Sequence, residues 1–146
     1  MLKIKIIIAL GGNAIITSKE KVTYKNLLKN IKKACINIAP IIKNHQVIIT
    51  HGNGPEIGYL VKQNEATKDI SPMPLDVLGA ESQGLIGYLL EEQLLNELRK
   101  RRIKKSIVTI LTQVLVDKND PAFKKPTKPI GAFYNIKEAG KLVQKG

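Results

Sequence analysis

Two short glycine-rich stretches hold the residue types and spacing that can do chemistry. The first is Leu10-Gly11-Gly12-Asn13-Ala14; the second is Thr50-His51-Gly52-Asn53-Gly54-Pro55-Glu56-Ile57-Gly58. Each follows an apolar run that reads as a strand, and the second leads into Tyr59-Leu60-Val61, whose spacing from Ile57 suits the first turns of a helix. A glycine-rich bend between strand and helix bares backbone N–H groups at the positive end of the helix dipole. Glycine also lets an oxyanion approach the main chain closely, so the chemistry on offer is anion binding. Neither loop has the GxGxxG spacing of a dinucleotide site or the GxxxxGK[ST] spacing of a phosphate-binding loop. For either loop alone, an ordinary tight turn is the rival reading; their likeness favours a paired oxyanion site. His51 beside the glycines either donates to a ligand or makes a structural hydrogen bond, and the second is the simpler role.

These loops need elements to position them. Lys3–Ala9 is dominated by Ile, which predicts a strand buried on both faces, as in a parallel sheet. Val47–Thr50 reads as a second strand. Between them Thr23 is placed to cap a helix over Tyr24–Ile38, with Leu27, Leu28, Ile31, Ala34, Cys35 and Ile38 on one face, and Pro40 ends or bends it. Residues 66–75 read as a loop. Asp76 then opens a long helix to about Arg102, along which Leu78, Leu85, Ile86, Leu89, Leu94, Leu95 and Leu98 recur near helical spacing. Gly79, Gly84 and Gly87 weaken it by ~1 kcal/mol each relative to alanine, which points to close packing against another backbone or against a ligand. Ser106–Val116 reads as a third strand, Asp117–Pro129 as a proline-punctuated loop, and Asn135 begins a last helix through about Gln144. Strands alternating with helices predict right-handed βαβ units and a mainly parallel sheet. Both glycine loops then lie at the carboxyl ends of strands, where ligands sit in open α/β sheets.

Composition narrows the function classes. The 146 residues amount to one domain, and 43% hydrophobic with 25% charged is a globular balance. The net charge of +12 favours anionic partners, but the lysines are scattered, aromatics are 4%, and no recognition helix or base-stacking motif stands out, so nucleic acid is not indicated. The densest basic run, Arg99–Lys105, reads as a solvated helix C-terminus whose cations offset the dipole; nucleic-acid binding is its rival. No apolar run has the length of a membrane span, and Met1-Leu2-Lys3 leads into a strand rather than a signal peptide. Cys35 is the sole cysteine, so no intrachain disulfide forms and a reducing cytoplasm is the expected setting. Cys35 itself reads as a small buried apolar residue, and His45 as a solvent-facing turn residue.

Four stretches in order resemble carbamate kinase, a branch of the amino acid kinase family. They are Ala9-Leu10-Gly11-Gly12-Asn13-Ala14; Thr50-His51-Gly52-Asn53-Gly54-Pro55; Pro74-Leu75-Asp76 through Ser82-Gln83-Gly84-Leu85-Ile86-Gly87-Tyr88; and Thr112-Gln113 through Val116-Asp117, Asn119-Asp120, Pro121-Ala122-Phe123 and Pro126-Thr127-Lys128-Pro129-Ile130-Gly131. The ordered set spans essentially the whole chain. The resemblance implies an α/β fold, a three-layer sandwich with a mainly parallel sheet, truncated here to its N-terminal half. Residues 1–146 would be the carbamate- and carbamoyl-phosphate-binding half, with the nucleotide-binding half absent.

The implied function is a phosphotransferase reaction, ATP + carbamate = ADP + carbamoyl phosphate, with ATP/ADP and Mg2+ as cofactors whose pocket is mostly absent from this chain. It also implies a place in arginine breakdown, a homodimer in the intact family and a complementing C-terminal chain, with no nucleic acid and no membrane. Carbamate is already an anion, so catalysis must come from positioning and charge neutralisation. Backbone N–H groups of Gly11, Gly12, Asn13, Gly52, Asn53 and Gly54 would form the cradle for the anion, Lys128 is implied as the catalytic cation, and no metal ligands are assigned.

The sequence departs from the family in places. Many relatives carry a lysine just before the first glycine pair, where this chain has Ala9-Leu10; Glu56 stands where a neutral glutamine is usual, and Glu81 at a normally apolar place. Family members run to roughly twice this length, beyond the ~100–150 residues most common for one domain. The expectation is therefore a truncated or split chain, inactive alone, with an unpaired sheet edge and an apolar half-interface exposed. A non-catalytic module binding a small anion or a partner is the alternative.

Overall fold

A computed structural model of the chain describes residues 3–17, 20–53, 55–67, 69–127, 130 and 135–143. Strand β1 (Lys5–Leu10) is followed by a single helical turn, α1 (Gly12–Ile15), and by helix α2 (Tyr24–Asn44). Strand β2 (Gln46–His51), helix α3 (Glu56–Ala66) and the long helix α4 (Leu75–Lys100) come next. A 3-10 turn over Pro121–Phe123 and helix α5 (Ile136–Val143) complete the order. The strands pair in parallel, from Lys5 opposite Gln46 to Leu10 opposite His51, as expected for a βαβ unit.

The apolar face of this two-stranded sheet and those of α2 and α4 make one core. Leu27, Ile31, Cys35, Ile38, Ala39 and Ile42 of α2 pack with Ile86, Leu89, Leu90, Leu94 and Leu98 of α4, and Ile8, Leu10, Val47 and Ile49 close it from the sheet. The expected burial of β1 on both faces does not hold. Its burial alternates, as does that of β2, leaving Ile7 70% and Ile48 56% exposed. The physical reason is that among the described residues helices cover only one side of the sheet.

Helix α2 starts as expected: Thr23 Oγ1 accepts the Asn26 N–H at 3.3 Å. It does not stop near Ile38 but runs through Pro40 to Asn44. Ala39 and Ile42 continue the buried stripe beyond the proline, so packing outweighs the lost main-chain bond. Helix α4 ends at a Schellman turn: Ile103 N–H reaches the Leu98 carbonyl at 2.9 Å, Arg102 N–H reaches that of Arg99 at 3.0 Å, and Arg102 has φ 56°.

The third strand expected over Ser106–Val116 is not formed. Residues 103–117 have no ladder partner among the described residues and lie along α4 instead. Thr109 Oγ1 donates to the Gly87 carbonyl at 3.2 Å or to Glu91 Oε2 at 2.7 Å. Further on, the Gln83 amide clamps Thr112, accepting its N–H at 2.9 Å and donating to its carbonyl at 3.3 Å. Of the three helix glycines, Gly87 is placed for close packing: a Cβ there would run into the Thr109 methyl, whereas Gly79 and Gly84 face open space.

Candidate anion-binding site

Because β1 and β2 are parallel neighbours in register, both glycine bends leave the sheet at the same edge. One bond spans them: Gly52 N–H donates to the Leu10 carbonyl at 3.3 Å. On the first side Gly11 is extended (φ −69°, ψ 166°) and α1 follows at once. The carbonyls of Gly11 and Gly12 accept from Ala14 N–H at 2.9 Å and Ile16 N–H at 2.8 Å, while the N–H groups of Gly12 and Asn13, in the first turn, receive no intrahelical carbonyl. The dipole of a single turn is small, so what α1 offers is these two donors. On the second side Glu56 N–H donates to the Asn53 carbonyl at 3.2 Å and Tyr59 N–H to that of Pro55 at 3.3 Å, which starts α3. The Gly52 N–H, expected in the anion cradle, is thus already taken by the Leu10 carbonyl. Gly11, Gly12, Asn13, Gly52 and Asn53 are brought together at one edge; Gly54 and Lys128 lie outside the described residues.

The first bend is held from behind. Ile15 and Ile16 are buried, and Asn30 Nδ2 on α2 is shared between the Ile15 carbonyl at 3.1 Å and Glu20 Oε2 at 2.7 Å. Glu20 also takes the N–H and hydroxyl of Thr17 at 3.3 and 3.0 Å. Asn30 first, and then Thr17, hold the Glu20 carboxyl below the usual carboxylate range. The one signal of this clamp in the sequence is Thr17-x-x-Glu20, which has the spacing of a capping box. On the second bend, His51 Nδ1 lies 3.0 Å from the Gly52 carbonyl; a carbonyl only accepts, so Nδ1 carries the proton and the histidine makes the structural bond. His45, expected to face solvent, is half-buried, with its Nδ1 enclosed and unpartnered among the described residues.

Glu56 is the site's electrostatic anomaly. It opens α3 directly after the second bend, is 3% exposed, and neither carboxylate oxygen has a hydrogen-bond partner among the described residues. Burial pushes its pKa up, opposed only by its own backbone N–H. Its one signal in the sequence is a charged residue directly after the Gly-Pro of the second bend. No group of three or more His, Cys, Asp or Glu that could hold a metal occurs among the described residues, and no described helix is long and apolar enough to cross a membrane.

A parallel sheet backed by helices, with paired glycine bends at its carboxyl edge, defines a class, and residues 5–144 match the amino acid kinase family. The chain belongs to that family. Within it, the similarity is to the N-terminal half of carbamate kinases. It is 49% identical over 144 residues to the carbamate kinase of Pyrococcus horikoshii, covering 96% of this chain and 46% of that protein. The carbamate kinase of Rhizobium meliloti is 48% identical over 140 residues, covering 96% and 42%. Among solved structures, Giardia lamblia carbamate kinase bound to AMP-PNP superposes with a TM-score of 0.84 at 43% identity, over 98% of this chain and 46% of that one. The chain therefore spans about half the length of the relatives it matches.

Proposed function

We propose that residues 1–146 form the carbamate- and carbamoyl-phosphate-binding half of a carbamate kinase, a transferase catalysing ATP + carbamate = ADP + carbamoyl phosphate. The nucleotide-binding half belongs to the part of the relatives' length that this chain does not span. The observation that carries the reading is the convergence of the two bends at one sheet edge, with the N–H groups of Gly12, Asn13 and Asn53 meeting no backbone carbonyl among the described residues.

In that reaction a carbamate oxygen attacks the γ-phosphorus of ATP while the bond to the ADP oxygen breaks. The nucleophile arrives already ionised, so the protein supplies position and positive potential rather than a general base. Main-chain donors of Gly11, Gly12, Asn13, Asn53 and Gly54 hold the anion, Gly52 ties the two bends together through its bond to Leu10, and Lys128 acts as the catalytic cation. The AMP-PNP complex of the Giardia relative supports ATP as the phosphoryl donor. The described residues hold no group of three or more His, Cys, Asp or Glu side chains that could by itself cage Mg2+. The uncovered side of the sheet and the unladdered 103–117 segment are where the complementing half docks, and the whole works as a cytoplasmic homodimer in arginine breakdown.

The test is ATP formation from ADP and carbamoyl phosphate. Residues 1–146 alone turn over no substrate; adding the second half as a separate chain restores activity. In that pair Lys128→Ala lowers the rate by about a hundredfold or more while the far-UV spectrum is unchanged. Normal turnover by the variant would remove Lys128 from the mechanism. A non-catalytic anion-binding module is the second reading, favoured by donors that need no nucleotide half; protection of residues 1–146 by carbamoyl phosphate without turnover in the complemented pair would select it.

A further inference from the structure

We propose that Glu56 is a positioning residue that makes the second bend pH-sensitive: as a neutral acid it packs at the base of the bend and leaves the cradle open to an anion, and as a carboxylate it opposes anion binding. The inference rests on the anion-site reading above and goes beyond it by naming the group that regulates the site.

Glu56 is the first residue of α3, its N–H is bonded to the Asn53 carbonyl at 3.2 Å, and its side chain is buried with both oxygens unpartnered. No described charge closes on it. On α3, Lys62 and Glu65 are exposed, as are Asp76 and Glu81 on α4, the helix packed against α3, and His51 at the end of β2 is turned to the Gly52 carbonyl. A carboxylate enclosed with no side-chain donor or cation against it has two remedies: take up a proton, or leave the interior. Leaving means displacing the first turn of α3, and the bond from Glu56 to Asn53 passes that displacement to the bend. Staying ionised places a negative charge within a few residues of donors meant for an anion, where low polarity strengthens the repulsion. A glutamine side chain at this position has nearly the same shape and no charge to lose.

The probe is sulfate, a dianion throughout pH 5–9, so the ligand's own titration does not enter. Folding stability of the chain and of Glu56→Gln is measured across that range, followed by sulfate affinity by calorimetry. The folded state holds the Glu56 proton more tightly than the unfolded one, so as pH rises above the ordinary carboxylate range native stability should carry a loss that the variant lacks, and the gap should widen with pH. Sulfate affinity should fall by about tenfold or more between pH 5.5 and 8.5 in the native chain beyond any fall in Glu56→Gln. Glu56→Met, of similar length and without a polar atom, should behave as Glu56→Gln does and replaces it should the amide fail to fold. Parallel stability profiles, or equal loss of sulfate affinity in native and variant chains, would overturn the proposal. Absence of sulfate binding by either chain at every pH would sink the anion site and the gate with it, and a widening stability gap alongside would locate the failure in the anion site.

Discussion

The backbone carbonyl of Ile36, in the middle of α2, accepts a hydrogen bond from Arg101 Nη2 at the end of α4, at 3.3 Å. In an unbroken helix that carbonyl would be taken by the N–H four residues on, but residue 40 is proline and has none. Arg101 is aimed by Glu97, whose Oε1 lies 2.7 Å from its Nε. The guanidinium thus replaces a missing main-chain donor. Arg101→Ala is expected to cost about 1–2 kcal/mol in urea unfolding. In a Pro40→Ala background, where residue 40 supplies its own donor, the cost should shrink by about 0.5–1 kcal/mol. An Arg101→Ala cost that is the same in both backgrounds would show that the two residues are not coupled.

Gly87 and Thr109 set how closely the extended segment lies on α4. Alanine at 87 gains about 1 kcal/mol of helix propensity, but its methyl meets the Thr109 methyl. Turning Thr109 aside breaks its bonds to the Gly87 carbonyl and Glu91. Overpacking of this kind costs about 1–3 kcal/mol, so Gly87→Ala should be net destabilising by roughly 1 kcal/mol. Thr109→Ser, which removes the obstructing methyl and keeps the hydroxyl, should rescue it in the double variant.

Cys35 is fully buried, its Sγ lies 3.8 Å from the Leu90 carbonyl, and burial, with a smaller push from Glu97, raises its thiol to about 12. A thiol protonated to such a pH is a poor nucleophile. At pH 8 the folded chain should release no chromophore from a disulfide reagent, and urea should expose one equivalent. Since the folded state keeps the proton longer than the unfolded one, stability should fall by up to about 1.4 kcal/mol per pH unit above the ordinary thiol range, near 8.5. Cys35→Ala should abolish that slope.

Arg102 holds a left-handed conformation, φ 56°, at the position of the Schellman turn where glycine is usual. Arg102→Gly relieves the clash of Cβ with its carbonyl and should raise stability by about 0.5–1 kcal/mol, after the entropic cost of glycine. Arg102→Val, branched at Cβ, should lower it. Thermal unfolding of the two variants should bracket the native chain.

The sequence disclosed those features that follow from local periodicity. The apolar stripe from Leu27 to Ile38, the Thr23 cap and the two strand-to-glycine bends are written in residue type and spacing, and the parallel pairing that joins the bends follows from their alternation with helices. What stayed hidden depends on contacts distant in sequence. Pro40 reads as a stop until Arg101 arrives from 61 positions on to serve Ile36. Ser106–Val116 has the composition of a strand, but a strand exists only with a ladder partner, and the described residues supply Gln83 and Thr109 contacts to a helix instead. Burial of Glu56 is likewise invisible, because a glutamate at a helix N-terminus ordinarily sits in solvent.

The half-roofed sheet, with Ile7 and Ile48 bare on its far side, also bears on the fate of this molecule in a cell. Bare apolar ribs are what chaperones grip and what proteases find first. If the proposed second half covers that side, the abundance of the chain should track the supply of that half rather than its own rate of synthesis.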